Sequence, residues 1–88
     1  MRYNVLLKKK VEKGLWKLPL SVQKKLALLT LDLQAKGPEQ PQWQNYSKLS
    51  KTEYHCHLGM SWVACWRHEK NAIVIEVYYV GSREKAPY

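Results

Sequence analysis

The clearest hydrophobic pattern lies in "PLSVQKKLALLTLDLQAKGP", residues 19–38. Val22, Leu26, Leu29 and Leu33 recur at helical spacing, and Leu28, Leu31 and Ala35 widen the apolar stripe. Pro19 suits a helix start, and Gly37 followed by Pro38 suits a stop. Upstream, "RYNVLLK" is a short β-favouring run of the kind found on sheet edges. "KKVEKGLWKLP" reads as a short helix ending before Pro19, weakened by Gly14. Downstream, "GPEQPQWQNYSKLSKT" is polar, holds two prolines and reads as a loop. Three strand-like runs follow, "EYHCHL", "SWVACW" and "AIVIEVYYV", separated by "GM" and "RHEKN", gaps that suit hairpins. The order predicts an α+β fold: a small single domain over residues 1–88, with an N-terminal strand, one or two helices, and a three-stranded antiparallel meander packed against the helices.

Length and charge narrow the functional classes. The 88 residues suffice for one core. The net charge of +8 is unevenly placed: residues 1–25 hold eight basic residues against Glu12 alone, a net +7. A one-sided basic end points to a polyanion, either nucleic acid or an acidic partner, or else to a solvated, solubilising face. "NVLL" is too short for a signal-peptide core, and no run approaches the length of a membrane span. Two cysteines do not make a disulfide framework. The expectation is a cytoplasmic protein with reduced thiols.

The stretch "EYHCHLGMSWVACWRHEK" concentrates the candidate chemistry. Successive side chains on a strand point to opposite faces, so His55 and His57 share one face, while Cys56 lies on the other with Tyr54 and Leu58. Neighbouring histidine and cysteine then cannot easily ligate one ion, and no C-x2-C pair is present, so no metal and no cofactor are expected. Cys56 and Cys65 read as small core residues. Two histidines roughly 6.5–7 Å apart on one strand face are either a polar, half-exposed surface or an acid and a base. Ribonucleolytic cleavage needs such a pair. One group takes the proton of the ribose 2′-hydroxyl, and the other protonates the departing 5′-oxygen.

The ordered set "YSKLSKTEYHCHL", "WVACW" and "IVIEVYYVGSREKAPY" resembles the RelE/ParE superfamily of toxin–antitoxin toxins, and within it the messenger-RNA-cleaving RelE-type branch. Members carry "KL" before a strand that begins with Tyr, then a strand of the type "YRVxY", an apolar strand ending in "VGxR", and a tyrosine near the C-terminus. The resemblance covers about residues 46–88; the N-terminal half agrees only in the order of its elements. It implies the toxin of a type II pair, a metal-independent, ribosome-dependent endoribonuclease that cleaves messenger RNA, with a cognate antitoxin as partner and no membrane or small-molecule cofactor. A ParE-like gyrase inhibitor, or a decayed member that only binds antitoxin, is the alternative within the same fold. A generic basic nucleic-acid-binding domain is the alternative outside it.

The resemblance also implies a set of site residues. His55 and His57 match positions where the family often has lysine or arginine. Arg83 matches the arginine after "VG", and Tyr88 the C-terminal tyrosine. The residues support these roles: a planar guanidinium fits two oxygens of a phosphorane, and a tyrosine can stack on a base or assist proton transfer. One position departs, because Trp62 stands where the "YRV" strand usually holds an active-site arginine. Lys48, Lys51 or Arg67 would then supply the charge, while Lys8, Lys9, Lys10 and Lys13 would hold ribosomal RNA through its phosphates. Trp62 and Trp66 are expected to share a strand face, as core or antitoxin-contact residues. Trp43 and Tyr46, in the loop, are expected to be exposed aromatic contacts.

Overall fold

The computed structural model describes residues 2–88. Met1, the first residue of the expected domain, lies outside the described residues. The elements are β1 (Asn4–Leu7), α1 (Lys9–Gly14), a single 3-10 turn at Leu15–Lys17, α2 (Leu20–Lys36), β2 (Ser47–Lys48), β3 (Glu53–His57), β4 (Trp62–His68), β5 (Val74–Ser82) and a second 3-10 turn at Arg83–Lys85. The fold is α+β, with two helices on one face of one sheet. The sheet is larger than the expected meander. It has five strands in the order β1-β5-β4-β3-β2, with β1 parallel to β5 and the other pairs antiparallel. The meander β3-β4-β5 forms its centre. β1 docks on the β5 edge after the helical crossover. The expected loop contributes β2, which pairs Ser47 with His55 and Lys48 with Tyr54.

Four residues of α2 face the sheet and are buried: Val22, Leu26, Leu29 and Leu33. The stripe is narrower than its pattern suggested. Leu28 and Leu31 are 54% and 58% exposed, and Ala35 is exposed as well. A helix lying on one sheet presents only one flank to it, and among the described residues no second layer covers the adjoining flank of α2. The helix stops at Gly37, whose N–H donates to the Leu33 carbonyl at 2.9 Å and whose φ of 92° lies in the left-handed region. A Cβ there would also meet the Tyr3 ring at 2.8 Å.

The core is sealed by an aromatic stack. Tyr54 and Trp66 lie 6.1 Å apart and 9° from parallel, and Tyr46 stacks on both. Trp66 is fully buried, and its indole N–H donates to the Pro38 carbonyl at 2.9 Å. The two loop aromatics are therefore not exposed contacts. Tyr46 belongs to the stack, and Trp43 packs on the core while its N–H donates to Asp32 Oδ2 at 2.8 Å. The polar loop around them supplied no apolar period by which to recognise their burial. Trp62 packs on the same core, so Trp62 and Trp66 do share a face. A bulge between Cys65 and Trp66 places Tyr78 as the extra residue of β5, opposite no partner.

Candidate active site

Alternation along β3 sends Tyr54 and Cys56 into the core, with Leu58 just beyond the strand, and sends His55 and His57 to the face that carries no helix. The histidines are not half-exposed, as their polarity suggested: His55 is 7% and His57 8% exposed. Their cover includes the C-terminal tail. Arg83 N–H donates to the Ser61 carbonyl at 2.8 Å, one 3-10 turn follows, and the Tyr88 ring arrives 4.5 Å from the His55 ring, centre to centre. Gly81 belongs to this closure. A Cβ there would lie 2.8 Å from the Tyr79 hydroxyl, which donates to the Ser82 carbonyl at 2.7 Å.

The two imidazoles are 5.8 Å apart, centre to centre, at 62° to one another. His55 Nδ1 lies 2.9 Å from Ser47 Oγ. In the tautomer whose Nδ1–H donates to Ser47, Nε2 keeps a free lone pair. Burial lowers the His55 pKa from 6.5, with a smaller contribution from His57, while hydrogen bonding to the Ser47 backbone opposes the shift. Burial likewise lowers the His57 pKa, and the Arg83 guanidinium lowers it further. Both rings are thus mainly neutral near pH 7. The Tyr88 phenol is raised, first by burial. The Cys56 and Cys65 thiols are each pushed up to about 12, chiefly by burial, so neither is a thiolate nucleophile.

His55, His57 and Tyr88 are therefore gathered in one place, and the Arg83 backbone is anchored nearby at Ser61. The other candidate residues are not. Arg67 sits between Glu53 and Glu76, at 3.4 and 3.2 Å, and stacks over the Tyr78 ring at 4.5 Å. Its charge is committed to two carboxylates. Lys48 and Lys51 are exposed near the β2–β3 edge, with the Lys48 ammonium 5.5 Å from the centre of the Tyr54 ring. Lys8, Lys9, Lys10 and Lys13 are exposed near the β1 edge, where Lys8 and Lys10 line a cleft with Tyr79, Val80 and Pro87. Trp62 packs on the core, on the sheet face opposite the histidines. Ser47 was missed by sequence reasoning, because a two-residue strand inside a polar loop has no periodic signature. Among the described residues, no group of three or more His, Cys, Asp or Glu side chains converges on one point.

No family model matches the chain, and no curated protein matches it by sequence. Solved structures do match. A chain of the archaeal RelE–RelB complex from Pyrococcus horikoshii superposes with a TM-score of 0.76 at 19% identity, covering 98% of this chain and 100% of that one. A mutant of the Escherichia coli toxin RelE in the free state gives 0.74 at 17%, covering 98% and 88%. A chain of the YoeB–YefM complex from Staphylococcus aureus gives 0.68 at 13%, covering 94% and 99%. The likeness spans nearly the whole chain at identities where only backbone is shared, and the fold is that of the RelE-type toxins.

Proposed function

We propose that the chain is the toxin of a type II toxin–antitoxin pair, acting in the cytoplasm as a ribosome-dependent endoribonuclease on messenger RNA. One observation carries this reading: His55, His57, Arg83 and Tyr88 converge on the helix-free face of a RelE-type fold. The steps follow from the groups. His55 Nε2 takes the proton of the ribose 2′-hydroxyl, and the 2′-oxygen attacks phosphorus in line. The bond to the 5′-oxygen breaks as His57 gives that oxygen a proton. The product is a 2′,3′-cyclic phosphate and a free 5′-hydroxyl. Arg83 places its guanidinium against the charge that grows on the phosphorane. Tyr88, half-exposed over His55, stacks on a base beside the cleaved bond. The exposed lysines at both sheet edges hold ribosomal phosphates, which makes binding steeply salt-dependent. An acidic antitoxin would cover this basic surface, in keeping with the RelE–RelB and YoeB–YefM complexes whose chains share the fold.

Both imidazoles have lowered pKa values, so a base that must be neutral and an acid that must be protonated are best balanced below the ordinary value of 6.5. The test is primer extension on a message translated in a cell-free reaction with purified protein. Discrete cuts within codons, strongest on the acid side of neutrality, are expected. An intact message with blocked gyrase supercoiling would replace this reading with the ParE-like one.

A further inference from the structure

The two leucines that α2 leaves uncovered are not scattered surface residues. Leu28 and Leu31 form the apolar floor of a cleft of about 540 Å³ between α2, the loop before β2 and the end of β3, and His57 stands at its rim. The amides of Gln42 and Gln44 border the cleft, and the Gln44 backbone is fixed there because its carbonyl accepts the His57 N–H at 2.8 Å. Two charges of opposite sign line it. Lys25 lies 6.0 Å from the centre of the Trp43 ring, and Asp32 accepts the Trp43 indole N–H.

This lining discriminates among ligands. A phosphate site needs a surplus of cations, and here one lysine is balanced by one aspartate. An apolar floor, an indole edge, two adaptable amides, one extra donor and one extra acceptor suit a neutral planar heterocycle with both donors and acceptors on its edge. The cleft opens ahead of the first residue of β2, beside the end of β3, so a single strand of RNA with a phosphate at His57 can turn its neighbouring base over the sheet edge into it. Resting on the function proposed above, we infer that this cleft is a nucleobase subsite, holding the base of a nucleotide adjacent to the cleaved phosphate. Single-stranded RNA is recognised by this combination of burying an unstacked base and hydrogen-bonding its edge. The occupant is RNA rather than a helix of an acidic polypeptide, because His57 belongs to both the cleft and the histidine pair.

The test is equilibrium binding, which needs no cleavage. A fluorescein-labelled, non-cleavable 2′-O-methyl oligonucleotide is titrated with the wild type, with Leu28→Glu/Leu31→Glu and with Gln44→Ala. Leu20→Glu, at an exposed α2 position outside the cleft, is the control. A series of oligonucleotides abasic at one position each is titrated in parallel. We expect the leucine double variant to bind roughly 10-fold more weakly or worse, the scale of losing one held base. One abasic position should weaken wild-type binding similarly and add nothing in the variant. Thermal melts should be unchanged, since both leucines are exposed. Equal affinity of variant and wild type, or equal affinity for all abasic oligonucleotides, overturns the inference; a cleft that takes a polypeptide helix gives that result. Message cleavage reports separately. A chain that binds bases here yet cuts no message removes the proposed function and leaves the subsite, and a chain that cuts while the cleft variants bind normally does the reverse.

Discussion

The two faces of the sheet bury comparable side chains for opposite purposes. On the helix side, Tyr54, Cys56, Trp66, Ile75 and Val77 meet Leu26, Leu29 and Leu33, and the single polar atom of Trp66 is satisfied by Pro38. On the other side, neighbouring residues of the same strand are His55 and His57, with His55 held against Ser47 and Tyr88. A thick helical layer excludes water from the first face. A short tail with a half-exposed tyrosine covers the second. The difference teaches that burial alone does not mark a core. What separates the faces is whether the buried groups gain more from being apolar or from having their protonation tuned.

The contrast can be broken most forcefully on the helix side. Trp66→Ala removes the centre of the aromatic stack and leaves the Pro38 carbonyl without its donor. Chemical denaturation should show a loss of about 3–5 kcal/mol, the cost of deleting a buried tryptophan. On the opposite face, Arg83→Ala should leave the melt nearly unchanged, because the side chain is exposed, yet lower message cleavage by roughly 10²-fold or more, the scale of losing one group that stabilises developing charge. A variant that melts early and cuts normally would invert the roles assigned to the two faces.

A pH series sharpens the same comparison. Both histidines are held below their unfolded pKa, so the unfolded chain binds more protons as the pH falls. Their contribution is fully present above about pH 6.5, the unfolded value, and is lost as the pH drops through it toward the folded values. The melting temperature of the wild type should therefore fall between about pH 7.5 and about pH 5.5. His55→Gln/His57→Gln should flatten that slope, whereas Leu29→Ala should lower the whole curve and keep its shape. The smallest effect belongs to the rim. Glu76→Gln breaks one of two half-exposed pairs to Arg67 and should cost at most about 1 kcal/mol, diminishing with salt.

Much of the helix side was legible in the sequence because it follows a period. Val22, Leu26, Leu29 and Leu33 sit where 3.6 residues per turn place them, and strand alternation put Cys56 on the core side opposite its two histidine neighbours. What was not legible depends on tertiary neighbours. The exposure of Leu28 and Leu31 reflects a missing second layer over α2. The partial burial of Tyr46 follows from a loop folding back on Trp66, and that of Trp43 from its docking beside Asp32 of α2. The burial of His55 and His57 depends on a tail that returns across β4, which no local pattern encodes. Arg67 looked like a free cation because its partners, Glu53 and Glu76, come from two other strands.

The central claim is that the helix-free face performs proton transfer, and one measurement addresses it directly. Message cleavage in a cell-free translation reaction is followed for the wild type and for His55→Gln/His57→Gln, each shown by circular dichroism to be folded at the assay temperature. The account predicts discrete cuts by the wild type and a loss of roughly 10²-fold or more in the folded variant, the usual scale for removing acid–base groups. A folded variant that cuts as fast as the wild type would contradict it.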